Sequence, residues 1–487
     1  MSLADLQDYL LSSLPFSALL CGLITMGLLS WLRPRGRVSF YHAKDNSLLL
    51  TRKSEKPGAD EKVTFTDICR EATPSKCNLN PFLFNGHLQT AYTALKYDGV
   101  PVYYKRTMFE SDSPAFSGQF AMDFVVEPYE MPKDDVLIDS ERKYTQPSGL
   151  PERTSFFSEG EVAALSSDDT KPMLVTLHGL SGGSHEIYLR HVLHPLVADG
   201  NWEACVINSR GCAQTKISTG VLYNARATWD LRQAIKWLRK TYPNRPLFGI
   251  GFSLGANILA NYLGEEGEAC ELKAAVLCAS PWNLEVCSLN LQRTWLGMEV
   301  YSKTMGSSMK RLFEHHVDAI QKNPRINIEA VRRITYLHEF DQAVQCPTWG
   351  YPTEGAYYRD AASTDSLLSI RIPFLAIQAE DDPIACREGL PFHEIERTPY
   401  GVMMTTSWGG HLGWFELGGE RWFVKPVNNF FNKMAKEIDL SSPSVVKNPA
   451  LLPGHIANHS DPTKDPDTAP KPEFNAMRRR MDMKLTY

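Results

Sequence analysis

The chain is expected to fold as an α/β protein, with a mostly parallel central sheet, helices on both faces and a helical cap. Three observations lead there. Short, near-continuous apolar runs alternate with helical periods; a Gly-x-Ser-x-Gly turn sits between one such run and an Ala/Leu-rich helix; and a long Met- and Trp-containing stretch precedes the sixth of seven strand candidates.

The 487 residues suit one large domain with additions, and 43% apolar against 22% charged residues excludes a disordered, collagenous or coiled-coil chain. Lys and Arg number 51 against 56 Asp and Glu, a net charge of −5, so no general basic field exists to hold nucleic acid. Ten cysteines are scattered without a Cys-x-x-Cys pair, as in a protein whose thiols stay reduced in the cytosol.

Taken in order, Tyr9–Leu32 is an uncharged, Leu-rich run long enough to cross a hydrocarbon layer. It is expected to be a membrane anchor. Asp5 and Asp8 precede it and no small-x-small site follows, which argues against a removable signal peptide. Arg33, Arg35 and Arg37 lie on its far side and place the rest of the chain in the cytosol by the positive-inside rule; a lumenal domain and insertion into one leaflet are the competing arrangements. The anchor would hold the protein on the endoplasmic reticulum or on lipid droplets. Residues 33–77 are expected to be a linker, 78–435 the main domain and 436–487 an irregular tail broken by prolines from Pro443 to Pro472. Polar Met131–Thr170 is expected to be a long loop.

Within the domain the strand candidates are Gln119–Val126, Met173–His178, Ala204–Asn208, Leu247–Phe252, Ala274–Ala279, Phe374–Gln378 and Val402–Ser407. Helices are expected at Ile187–Leu196, Thr228–Lys240 and Ala256–Leu263. The cap spans about residues 284–358. Its Trp295, Leu296, Met298, Met305, Met309, Leu312 and Phe313 suit a lining for an acyl chain, or equally an ordinary helical core.

In a parallel sheet the chemistry collects at the carboxyl ends of the strands. Gly251-Phe252-Ser253-Leu254-Gly255 follows the Leu247–Phe252 run and opens a helix, the setting of a nucleophile elbow with Ser253 lifted above the sheet. Such a serine needs a base, and the partners follow in the order acid, then histidine. Phe374–Gln378 ends at Glu380-Asp381-Asp382, which offers Asp382 as the acid with Asp381 as its near alternative. Val402–Ser407 runs into Trp408-Gly409-Gly410-His411-Leu412-Gly413, a glycine-lined loop able to carry the base, His411. The oxyanion donors are expected from the backbone N–H groups of Leu254 and of Leu180, in the loop His178-Gly179-Leu180-Ser181-Gly182-Gly183. His178 precedes the serine in the chain and reads as a residue that shapes that loop.

Other constellations carry less. His194 and Asp199 have an H-x4-D spacing seen in some acyltransferases, on an amphipathic helix whose own packing accounts for it. His185, His191 and His194 lack zincin spacing and His315-His316 are adjacent, so no metal is expected. The glycines of 179–183 form no phosphate-binding loop, and no cofactor is expected.

These segments, with Asn80-Pro81-Phe82-Leu83-Phe84-Asn85-Gly86-His87-Leu88-Gln89-Thr90, Asn208-Ser209-Arg210-Gly211-Cys212, Ala256-Asn257 and Tyr357-Tyr358-Arg359-Asp360-Ala361-Ala362-Ser363, resemble the "AB hydrolase 4" group of α/β-hydrolases over about residues 78–435. Within the group the likeness is to fungal ethanol acyltransferase/esterases, a monoacylglycerol-lipase relative and animal membrane-anchored lipid hydrolases. The resemblance implies the α/β-hydrolase fold and the triad Ser253, Asp382 and His411. Ala362-Ser363 stands where many members have Ser-Ser.

The expected activity is that of a serine esterase and alcohol O-acyltransferase on short- to medium-chain fatty acyl esters, including ethyl ester synthesis. Its partners would be a fatty acyl ester or acyl-CoA donor, water or a small alcohol as acceptor, and a membrane or lipid-droplet surface. The alternatives are a monoacylglycerol lipase or phospholipase and, in another class, a membrane-tethered hydrolase fold without activity.

Overall fold

The computed structural model describes residues 20–25, 36–54, 61–96, 99–113, 116–130 and 149–448. Its strands are β1 (Val38–His42), β2 (Leu48–Arg52), β3 (Glu61–Thr64), β4 (Tyr103–Glu110), β5 (Gln119–Val126), β6 (Thr154–Phe156), β7 (Met173–Leu177), β8 (Glu203–Asn208), β9 (Leu247–Phe252), β10 (Leu272–Cys278), β11 (Phe374–Ala379), β12 (Gly401–Thr406) and β13 (Val445–Val446). Ten of them form one sheet in the order β1-β12-β11-β10-β9-β7-β8-β5-β4-β6, while β13, β2 and β3 form a small second sheet. From β12 to β8 every pairing is parallel, and the antiparallel pairs lie toward the two edges. All seven expected strands are present within two residues of their expected ends.

The central strands are buried on both faces because their side chains alternate between two apolar layers. Leu174 of β7, Phe248, Ile250 and Phe252 of β9, and Leu375 and Ile377 of β11 face helices Phe65–Ala72, Ile187–Val197 and Val424–Lys436. Val175 and Leu177 of β7, Leu247 of β9, and Phe374 and Ala376 of β11 meet helices Thr228–Thr241 and Leu254–Glu266.

Between β10 and β11 the chain forms no strand; it is helical in pieces from Leu284 to Leu367, the expected cap with a slightly later end. Trp349, Met309 and Phe313 of this region are buried against Phe116 and Trp229 of the domain beneath, with Phe116 stacked on Trp229 (centroids 4.3 Å apart) and Trp229 tilted against Trp349 (5.0 Å). Trp295 by contrast is 72% exposed. Asn257 and Asn261 on helix Leu254–Glu266 both donate side-chain N–H groups to the Ala361 carbonyl, at 2.8 and 2.9 Å, which ties the end of the cap to the helix that follows Ser253.

Two expectations need correction. Residues 33–77 are not a plain linker: β1 pairs antiparallel with β12, and helix Phe65–Ala72, capped by Thr64, buries Phe65, Ile68, Cys69 and Ala72 against the sheet. Val38 lies opposite Thr406, and Arg37 exchanges hydrogen bonds with Ser407 at 3.0 Å each way. Four- and five-residue strands that are half-buried leave little periodic signal in a sequence. Nor is Met131–Thr170 wholly loop, since β6 adds a parallel edge strand beside β4 and Glu159–Ala163 is a short helix with a Ser158/Glu161 capping box. In the tail, β13 pairs with β2, and residues from 449 onward lie outside the described part. Most of the expected anchor also lies outside it. Residues 20–25 are helical and exposed, and among the described residues no helix is long and apolar enough to cross a membrane.

Beneath the loop that follows β7 lies a buried ionic network. Arg106 of β4 makes a two-pronged contact with Asp123 of β5, at 2.6 and 2.8 Å, and gives its remaining arm to the Ala213 carbonyl. Asp123 also accepts from Ser184 (2.6 Å) and Asn208 (2.8 Å), while Asn208 accepts the Ser184 backbone N–H. Both charges are wholly enclosed, so removing one strands the other. Asp123→Ala is expected to cost about 3–5 kcal/mol of stability, read as a lower urea midpoint at unchanged slope.

Candidate active site

Because β7, β9, β11 and β12 run in one direction, the segments after them share one rim of the sheet. Those segments carry Leu180, Ser253, Asp382 and His411 respectively. Ser253 stands between β9 and helix Leu254–Glu266 with φ +52° and ψ −120°, a conformation costly for any residue with a side chain. The surroundings force it. A Cβ on Gly251 would come within 2.5 Å of the Gly255 carbonyl oxygen, and one on Gly255 within 2.4 Å of the His178 carbonyl oxygen. Only glycine fits at either place, so the turn is held tight and the serine hydroxyl is raised from it.

His411 reaches that hydroxyl: its Nε2 lies 2.8 Å from Ser253 Oγ, and its Nδ1 lies 2.7 Å from Asp382 Oδ2. The other Asp382 oxygen accepts the backbone N–H groups of Ile384 (2.8 Å) and Ala385 (2.9 Å), which fixes the carboxylate and leaves Oδ2 for the ring. With Asp382 accepting, Nδ1 carries a proton and Nε2 is free to accept one from the serine. All three side chains are buried.

The choice between the neighbouring carboxylates, open from spacing alone, is decided by aim. Asp382 faces His411, whereas Asp381 accepts the Gly410 backbone N–H at 3.0 Å and so holds the loop that carries the histidine. That loop is braced a second time by a segment far away in the chain. Thr90 Oγ accepts the His411 backbone N–H at 2.8 Å and donates to the Gly86 carbonyl, while Gln89 accepts the Phe415 N–H and donates to Leu83. Asn85 caps the helix that bears Thr90 and Gln89. None of these roles was legible beforehand: the Asn80–Thr90 stretch stood out only as part of a resemblance.

The loop after β7 is pressed against the serine, with a Cβ on Gly179 placed 3.4 Å from that of Ser253. His178 donates from Nδ1 to the Gly179 carbonyl (2.7 Å) and accepts the Ser209 N–H at Nε2 (3.0 Å), the loop-shaping arrangement expected for it. Burial lowers it to about 4, so it stays neutral in that pattern at physiological pH. Tyr188 and Tyr223 hydroxyls accept the N–H groups of Gly179 and Ser181, on either side of Leu180. Leu180 and Leu254 both border the cavity that opens at Ser253, and Leu254, as the first residue of its helix, has no acceptor one turn before it.

That cavity, about 100 Å³, is walled mostly by apolar side chains, among them Leu284, Leu291, Met305, Met309 and Ile384. Met305 and Met309 of the cap thus border this cavity, and Met309 belongs to the buried core as well. His194 and Asp199 are not brought together as a pair with the serine; Asp199 is taken up by Asn201. No group of three or more His, Cys, Asp or Glu side chains gathers as a metal site among the described residues.

A strained serine after a central strand, a histidine and an acid from later strands, and a helical cap together define an α/β-hydrolase. The comparisons place the chain within that class. Residues 172–391 match the family model of the alpha/beta hydrolase fold. A Saccharomyces cerevisiae monoacylglycerol lipase is 33% identical over 424 residues, covering 84% of this chain and 92% of its own. Medium-chain fatty acid ethyl ester synthase/esterase 2 of the same yeast is 30% identical over 433 residues, covering 82% and 95%. Phospholipase ABHD3 of Mus musculus is 31% identical over 264 residues, covering 54% and 62%. The chain belongs to the α/β-hydrolase fold family.

Burial, and secondarily the neighbouring Asp382, raises Asp381 from its ordinary value to about 6. The folded chain then binds that proton more tightly than the unfolded chain does. Its contribution favours folding below about pH 4 and is lost as the pH rises through about 6. Asp381→Asn can still accept the Gly410 N–H through its amide oxygen. It is expected to be more stable than the wild type at pH 7, with the difference in urea midpoint closing toward pH 4.

Proposed function

We propose that the chain is a serine esterase that works through an acyl-enzyme on Ser253, taking short- to medium-chain fatty acyl esters and passing the acyl group to water or a small alcohol. The single observation that carries this is the unbroken path Asp382–His411–Ser253 ending at an apolar cavity. Two relatives that match over most of the chain, one a lipase and one an ethyl ester synthase/esterase, support lipid esters as the substrate class.

His411 Nε2 takes the hydroxyl proton as Ser253 Oγ bonds to the ester carbonyl carbon. The negative oxygen that forms is met by the backbone N–H groups of Leu254 and Leu180. When the intermediate collapses, the carbon–oxygen bond to the alcohol breaks and the proton on Nε2 leaves with that alcohol. A water or alcohol then gives its proton to Nε2 and attacks the acyl carbon; the bond from that carbon to Ser253 Oγ breaks, and Oγ takes the proton back from Nε2. Asp382 keeps the ring in the tautomer that makes each transfer possible and stabilises its transient charge. Hydrolysis and ester synthesis use the same groups, so the acceptor alone separates them. The uncharged run 9–32 supports attachment at a lipid surface, where such esters lie.

Purified wild type and Ser253→Ala, given p-nitrophenyl and ethyl esters from butanoyl to dodecanoyl with and without ethanol, test the reading. Turnover in the wild type with none in the variant is expected, and the ratio of free acid to ethyl ester measures the partition between acceptors. Equal activity in both proteins would overturn the acyl-enzyme. Asp382→Asn is expected to fold normally and lose about 10⁴-fold in kcat, because its ring partner then stabilises the wrong tautomer.

A further inference from the structure

A second cavity, about 820 Å³, lies beyond the loop that follows β7. It shares no bordering residue with the cavity at Ser253, yet two elements are divided between the two. Leu180 borders the catalytic cavity, and Ser181, the next residue, borders the second. On the cap helix Lys303–His315, Met305 and Met309 border the first, whereas Ser308, Arg311 and His315 border the second, so one helix separates them.

The charge of the second cavity is unbalanced. Four cationic side chains border it, Lys96, Arg153, Arg190 and Arg311, against two acids, Glu152 and Glu186. Arg153 is paired with Glu152 at 2.7 Å, and Lys96 donates to the Gly419 carbonyl. Glu186 lies 4.0 Å from His185. Arg190 and Arg311 have no carboxylate partner among the described residues. Arg190 makes one long contact, 3.5 Å to the Val100 carbonyl, and exposed Arg311 donates to the Ser308 hydroxyl at 3.3 Å. Partial burial lowers the Arg190 guanidinium from its ordinary value, the direction expected of a cation that gives up water without gaining an anion.

Arg190 stands one turn into helix Ile187–Val197, whose first residue also borders the cavity and whose N-cap, Glu186, supplies no side-chain cap. Two guanidinium groups and the uncapped start of a helix therefore border one polar space. That donor set suits a phosphate, with oxygens for all three, better than a carboxylate, which a single guanidinium already occupies. The cavity also holds more than a phosphate group alone requires.

Going beyond the esterase reading, we propose that the second cavity binds a phosphate ester through Arg190 and Arg311, as an effector and not as a substrate, since it shares no wall with Ser253. Arg311 belongs to the cap and Arg190 to the body, so the ligand joins the two and steadies the helix whose other side borders the catalytic cavity.

The test is calorimetric titration of the full chain carrying Ser253→Ala, so that no ester is consumed, in a neutral detergent. Glycerol 3-phosphate and, separately, phosphatidic acid in the same micelles are the probes, with glycerol and matched potassium chloride as controls. Saturable binding of a phosphate is expected, with Kd raised about tenfold to hundredfold by Arg190→Gln and by Arg311→Gln, the effect of losing a hydrogen bond to a charged group. Binding of glycerol 3-phosphate assigns a soluble ligand; binding of phosphatidic acid alone assigns a lipid headgroup. Arg311 is exposed, and Arg190→Gln removes a cation without an anion, so neither variant is expected to lower the urea midpoint of the free chain. Hydrogen exchange along Lys303–His315 is expected to slow on binding. No saturable binding of either phosphate, binding matched by the chloride control, or binding that both variants keep overturns the site. Binding that leaves exchange on that helix unchanged overturns the bridge to the cap.

Discussion

The site depends on backbone meeting backbone with nothing in between. Gly251 and Gly255 let the turn at Ser253 close against the carbonyls at the end of β7, and the serine is left at φ +52° with its hydroxyl toward the histidine. The same kind of contact recurs beside Asp382 and beside His411. A Cβ on Gly86 would lie 1.9 Å from the Asp381 carbonyl oxygen, and one on Gly410 would lie 2.4 Å from that of Gly86. The segments around residues 86, 381 and 410, the first about 300 residues before the other two, are thus joined through glycines. A methyl group at any of them would push Asp382, His411 and Ser253 apart by more than a hydrogen bond tolerates.

Around that frame buried polar groups hold the loop after β7 in place. Asp123 gathers Arg106, Ser184 and Asn208 under the loop that carries Leu180, and Arg210, just after β8, pairs with Asp230 at 2.7 Å. The loop itself is pinned by His178 and by two tyrosine hydroxyls. The N–H groups that would receive a developing negative charge are therefore set before any substrate arrives, which is where most of the electrostatic advantage of such a site arises.

Much of this was legible from the residue order, for a physical reason. Central strands such as Leu247–Phe252 are buried on both sides and must be apolar throughout, and a nucleophile elbow admits little besides glycine around its serine, so both leave dense local signals. The β1 strand, Val38–His42, is half-buried at a sheet edge and mixes Ser and His with Val, Phe and Tyr, so neither period stands out. Thr90 and Gln89 act across more than 300 residues through single hydrogen bonds, and no local pattern announces such a partnership. Spacing alone could not decide between Asp381 and Asp382 because both follow the same strand; their orientation, set by the turn, separates them.

The pairing of β1 with β12 has a geometric meaning for the segment before it. Antiparallel alignment sets Val38 beside Thr406, at the end of β12 that leads into the His411 loop, and Gly36 lies against Trp408 of that loop. Between Leu32 and Val38 the chain has only six steps, at most about 20 Å when fully extended. By chain length alone, the end of the uncharged run at Leu32 is therefore held within that short reach of the rim where Ser253, Asp382 and His411 meet.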